Sequence, residues 1–546
     1  MKNVITRWLR PSATVMTALP LCCSLALQAQ PKETNQELSK AAQRGALVDA
    51  ALSDGNIRLT YKMKVDKKSD AVAYEDYVFD KNLGFTGIQK SKEDKQSHPD
   101  QKVTSVTAFV GGSNSFNVLS MSLNLQQEVW ERIWNYERQS YQWGKRLSKE
   151  SVKPRNSDGK YRGFAAYSNN DDGSVLVLAS SDRGKDDDNQ FVFLRITNDL
   201  NLTETGIPAK GNFSLVYCGR LLSGNVFAIL APDKGSPDTR QYIFAECRPD
   251  GSLVSSKAFT APSPNMLVMD YTENNGDLYL VAGSDKSNDA YNQVFTHYAP
   301  IYNPGYSTAA NKQMDKYEKR VMGQTFDNFH LLRFSKGELM FASSTPVKEF
   351  KSKVVNPPSQ KKSHPYDGSK MQVQRIAVAP NGDYLVAGQM QDKKIVNKGS
   401  DYVYKYYDYV CLHFDNNGKL KAQYAVEKQF DDSKNESFPA IQDFVLSPDQ
   451  KSMYWELMEV KVVKSYASFA DAYNGNATYT SHYFPRIARI SLSNQSIGDF
   501  TGLGNKGKFL VYHNYTSLTD DATHCRYYIG HDEDYEKVWV GKYSFE

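Results

Sequence analysis

The sequence predicts an all-β fold built from a repeated pair of hairpins, and three observations predict it. Tyr is in excess, with 35 copies beside 26 Phe and 34 Gly, a mixture that suits strands and tight turns. An apolar strand, a polar turn and a second apolar strand recur at intervals of roughly 50 to 65 residues, within the longer range of radial repeats. A second hairpin follows the first in most units. The clearest first hairpin runs from Ile376 to Gly388, where Pro380-Asn381-Gly382 supplies the positive-φ positions of a tight reversal. Its relatives begin near Leu47, Val106, Ala165, Leu222, Leu267, Phe444 and Thr523. The second hairpin is best seen from Tyr409 to Leu420, with relatives beginning at Phe191, Tyr242, Phe329 and Ile487. Two hairpins make a four-stranded antiparallel sheet that cannot bury both faces alone. Stacking such sheets radially into a closed ring leaves few exposed edges.

With these repeats the chain resembles the β-propeller superfamily. The resemblance implies seven or eight four-stranded blades. Eight first hairpins favour eight blades, the last left incomplete after the strand Lys537–Phe545. The Gly-His and Trp-Asp pairs of WD40 repeats do not recur together, and tryptophan-docking repeats are absent, so no subfamily follows. An array of β-sandwiches would also use short strands, but a fixed period with paired turns speaks against it.

The first 29 residues read as a secretory signal. Lys2, Arg7 and Arg10 precede an apolar stretch from Val15 to Leu27, and Leu27-Gln28-Ala29 fits a cleavage site. That ending is similar to cleavage sites of exported Bacteroidota proteins. A stretch of about a dozen residues containing Pro20 is too short to favour a spanning helix, which needs about 20. Leu21 and Cys22, before the two cysteines, do not match a lipobox. The expected organisation is a signal over 1–29, a linker over 30–45 and one propeller over 46–546, placed in the periplasm or at the outer membrane.

The 66 basic and 62 acidic residues nearly cancel to a formal +4, which gives no case for nucleic acid. Cys218, Cys247, Cys411 and Cys525 are widely spaced and form no zinc pattern. No phosphate loop, HExxH or GxSxG occurs. Gly305-Tyr306-Ser307-Thr308-Ala309 lacks the final glycine of a nucleophile elbow.

Turns joining the first strand of a unit to the second, and the third to the fourth, are short. The long insertions, 285–327, 345–370, 391–407 and 462–483, all belong to the opposite face, and loops on one face of a rigid scaffold often carry function. They present Tyr298, Tyr302, Tyr306, Tyr366, Tyr404, Tyr407, Tyr473 and Tyr483, flat rings with a hydroxyl suited to protein or glycan contact. Lys351 and Lys353 belong to a basic stretch fit for an acidic partner. His297, His364 and His482 lie in three different insertions as candidate metal ligands. Asp182, Asp186 and Asp188 offer hard oxygens for Ca²⁺.

The first functional expectation is a non-catalytic binding or assembly module of the bacterial envelope, presenting this loop face to a protein complex or a glycan. The alternative is a propeller-type polysaccharide hydrolase or lyase. Inward-pointing carboxylates at the channel mouth would favour the alternative, and an apolar plug there would exclude it.

Overall fold

The computed structural model describes residues 31–546 apart from several segments, the longest being 118–132, 287–324 and 466–477. It is a β-propeller. Six separate sheets of four or five strands follow one another, and a nine-stranded sheet contains two more units, giving eight blades. Blade 5 is typical, with strands Leu267–Asn274, Asp277–Ser284, Asn328–Ser335 and Glu338–Pro346 paired antiparallel in sequence order. Its two short turns, Asn275-Gly276 and Lys336-Gly337, have positive φ at both central residues (52° and 80°, 50° and 76°). That is the hairpin turn whose twist matches the strands it joins.

The first strands of successive blades touch one another. Phe213–Arg220 meets Leu267–Asn274, which meets Met371–Val378, which meets Ile441–Leu446, while Ser517–Asp520 meets Ala46–Ser53. These are the inner strands around the ring axis. Between blades, alternate side chains interlock in apolar layers. Phe227, Phe244 and Phe334 stack across blades 4 and 5 at 5.9 and 4.9 Å, and Phe329 stacks on Phe414 across blades 5 and 6 at 5.7 Å. Blade 2 departs from the simple meander: Ser115–Asn117 pairs with Val103–Val110 on the side opposite Ile133–Gln142.

The last blade is not incomplete. Ser517–Asp520, Cys525–Asp532 and Lys537–Ser544 supply three strands, and Lys32–Glu37 supplies the fourth by pairing antiparallel with Lys537–Lys542. Residues expected to be linker therefore join the two ends of the chain. Glu33 fixes the seam, its Oε2 accepting from the Trp539 indole at 2.9 Å and from the Gly504 amide at 3.1 Å.

The insertions also differ from loose loops. Residues 347–353 form a 3₁₀ helix, and Val354–Val355 adds a parallel fifth strand to the outer edge of blade 6. Covering that edge removes an unpaired ladder. Val347, Phe350 and Tyr366 are 3%, 0% and 0% exposed in the layer between blades 5 and 6. Around 391–407 and 462–483 the blade hairpins simply lengthen: Tyr384–Val396 pairs with Asp401–Phe414, and Ser452–Ser465 with Thr478–Ser491. No helix among the described residues is long and apolar enough to cross a membrane.

Candidate functional site

A strand next to the axis alternates side chains between the two neighbouring blades, so an extra residue re-aims those that follow it. Five inner strands carry such a bulge at the same place, at Val48, Phe164, Val216, Met269 and Gln374. The residues after it are Asp49, Ala165, Tyr217, Asp270 and Arg375. Asp443 takes the matching place in the inner strand of blade 7, three residues before its end, as Arg375 does in blade 6.

Blades 5 to 8 thereby share a chain of charges. Asp270 is half-buried, and its Oδ1 accepts from the Tyr271 amide at 2.8 Å. Burial raises its carboxyl to about 6, against the opposing pull of that amide and of the Arg375 guanidinium. Burial also lifts the Tyr217 phenol, and the nearby Asp270 adds to it. Arg375 Nη2 lies 2.9 Å from Asp443 Oδ1, and Arg526 Nη1 lies 3.5 Å from Asp443 Oδ2. Arg526 also pairs with Glu456, whose side chain is 3% exposed. Burial raises the Glu456 carboxyl while Arg526 opposes it, and the same pair raises Arg526. Beside them Gln442 donates to Gln374 Oε1 at 2.6 Å and accepts from the Trp455 indole at 3.0 Å. These charges sit on the inner strands of blades 5 to 7 and on the second strands of blades 7 and 8.

Chemically, this wall sets a half-buried carboxyl able to hold a proton near neutral pH beside a half-exposed guanidinium. Carboxyl groups whose environments pull them apart are the usual material of acid–base catalysis. The raised Asp270 value also makes a stability statement. Such a group contributes stability below its unfolded value of 3.8, and that contribution is lost as pH rises through about 6. Asp270→Asn is therefore expected to leave urea unfolding unchanged at about pH 3.5 and to stabilise the ring by ~1–2 kcal/mol at about pH 8, after discounting for partial exposure. Equal stability of the two proteins at both pH values would remove the claim that Asp270 is strained when charged.

The residues singled out from the sequence fall elsewhere. Tyr366 and Tyr483 are buried and pack blades together, so they do not present a binding surface. Tyr407 is 38% exposed, with the Lys405 ammonium 5.1 Å from its ring centre. Lys351 pairs with Asp367 at 3.5 Å, and Lys353 is exposed on the 3₁₀ helix. His364 is exposed and bonded to Asp408 at 2.6 Å, whereas His482 is buried beside His531, with ring centres 5.9 Å apart. Burial lowers the His482 value. Tyr404 and Asp182 lie in strands whose side chains there are not described, and His297, Tyr298, Tyr302, Tyr306, Tyr473, Asp186 and Asp188 lie outside the described residues. Among the described residues no three His, Cys, Asp or Glu side chains converge as a metal site.

No protein family matches the sequence, and no curated protein does. Solved structures similar to the chain include an ulvan lyase, at 8% identity over 92% of this chain and 95% of that one, with a TM-score of 0.27. An α-L-arabinofuranosidase of Fusarium graminearum aligns at 10% identity over 69% of this chain and 91% of that one, TM-score 0.24. A puromycin-hydrolysing peptidase of Mycobacterium tuberculosis aligns at 8% identity over 77% of this chain, TM-score 0.24. The chain spans 59% of that peptidase and 49% of a post-proline cleaving enzyme from Rickettsia typhi. No residue role is carried over from any of them.

Proposed function

We propose that the protein is a propeller-type polysaccharide hydrolase or lyase working at the inner-strand wall of blades 5 to 7. The observation that carries this reading is Asp270, a half-buried carboxyl raised to about 6 on the inner strand of blade 5. At mildly acidic pH it holds a proton that it can give to the departing glycosidic oxygen as the C–O bond breaks; in hydrolysis water supplies the hydroxyl that the other fragment gains, and in elimination that fragment loses a C–H proton and gains a double bond. Arg375, held by Asp443, which in turn is held by Arg526, itself paired with Glu456, offers a guanidinium to the hydroxyl or carboxylate groups of the sugar. Glycan encountered outside the cytoplasm suits the secretory signal read over residues 1–29, so the site of action is the periplasm or the outer membrane.

The test is release of new chain ends from a panel of neutral and uronate-containing polysaccharides, read as reducing ends and as absorbance of unsaturated products. Asp270→Asn is expected to lower the rate by about 10²- to 10⁴-fold, the usual contribution of a general acid. Wild-type protein that cleaves nothing in the panel, or a variant that cleaves as fast, defeats the proposal.

A second reading, a non-catalytic envelope module, is favoured by the two lengthened hairpins of blades 6 and 7. It predicts that shortening the hairpin 384–414 to a two-residue turn at the blade edge abolishes capture of an envelope protein partner, while Asp270→Asn leaves capture intact. Capture that survives the shortening counts against it.

A further inference from the structure

On the long-loop face, between blades 4 and 5, lies a cavity of about 390 Å³. It shares no residue with the inner-strand site. Its floor is polar, although polar groups are costly to bury without partners. Ser284 and His330, each 1% exposed, meet with Oγ to Nε2 at 2.8 Å. Ser263 donates to Asn265 Oδ1 at 3.0 Å, and Asn265 donates to Asp285 Oδ1 at 2.6 Å.

These pairings fix what the floor offers. Burial lowers His330 to about 4, so the imidazole is neutral at pH 7. Nε2 and the Ser284 hydroxyl share one hydrogen bond, and in either tautomer the Ser284 oxygen keeps a further lone pair. Ser263 Oγ, which donates to Asn265 Oδ1, keeps a lone pair as well. The rim supplies donors in Arg240 and Lys286. It balances them with Asp238 and Asp285, so the lining carries two charges of each sign. Pro237, Pro262 and Pro264 add apolar C–H faces.

These four charges sum to zero, so the lining as a whole favours neither an anion nor a cation. A ligand whose groups both donate and accept, and which has an apolar face, would find a partner for each. We infer that the cavity is a second ligand site for a neutral polyhydroxylated compound of one or two sugar rings. The volume falls in the range of small-molecule pockets, about 300–1,000 Å³. The inference stands apart from the proposed catalysis, since a non-catalytic propeller could hold the same ligand.

Saturation-transfer NMR on the full chain tests it, with glucose, galactose, mannose, maltose and cellobiose as probes and glucuronate as the charged control. Neutral sugars are expected to show transfer with Kd in the ~1 mM range. Thr239→Trp, which fills the mouth from a loop, should reduce that transfer at least fivefold, and Ser284→Val should weaken it. No transfer from any neutral sugar, transfer that survives Thr239→Trp, or equal transfer from glucuronate would each overturn the assignment.

Discussion

Removing residues 1–37 is expected to open the ring between blades 8 and 1. The strand Lys32–Glu37 pairs over six residues with the last strand of the chain. At a net ~1 kcal/mol per hydrogen bond, such a ladder contributes on the order of 5 kcal/mol, as much as the whole stability of many domains. The shortened chain would also bare the edge of a strand whose Val538, Trp539 and Val540 are buried, inviting pairing with another chain. Thermal unfolding should move down by many degrees or give way to aggregation, and a synthetic peptide of residues 31–44 added in trans should restore it. The milder Glu33→Leu leaves the Trp539 indole without its acceptor and should cost ~1–3 kcal/mol. A truncated chain that melts like the full one would show that the seam does not hold the ring.

The ion pair between blades 7 and 8 is the other place where a single side chain matters most. Glu456 and Arg526 are 3% and 15% exposed, so removing either strands a buried charge. Each of Glu456→Ala and Arg526→Ala is expected to destabilise the protein by about 3–5 kcal/mol. The joint replacement Glu456→Met with Arg526→Leu should cost much less than the sum, because no charge is then left unpaired. Additive losses would mean that the two groups do not hold one another. The pair also anchors Asp443 and through it Arg375, so in the single variants the inner wall should lose order before the ring unfolds.

The repeat, the short-turn face and the count of eight were legible because turn chemistry and alternation leave their mark at every unit. The seam was not, since Lys-Glu-Thr-Asn-Gln-Glu has no apolar alternation and is held by backbone bonds and one carboxylate. The segment 345–370 reads as a basic stretch fit for an acidic partner because its lysines outnumber Val347, Phe350 and Tyr366, the residues that dock it. Tyrosine in an insertion carries two readings, packing and recognition, and the sequence does not choose between them. Asp270, Arg375 and Asp443 were passed over among 62 acidic and 66 basic residues. A signal for them did exist. Each is a charge inside an inner strand at the matching place in its repeat, and in Met371–Val378 and Ile441–Leu446 it is the one charge of the strand.

The central claim is that Asp270 works as an acid at the inner wall, and the pH dependence of kcat/KM on a cleaved polysaccharide tests it most directly. A limb falling above about pH 6 reports the free-enzyme value of the essential acid. The wild-type protein should show that limb and Asp270→Asn should lose it, with a residual rate about 10²- to 10⁴-fold lower across the range. A limb near 6 that persists unchanged in Asp270→Asn would contradict it.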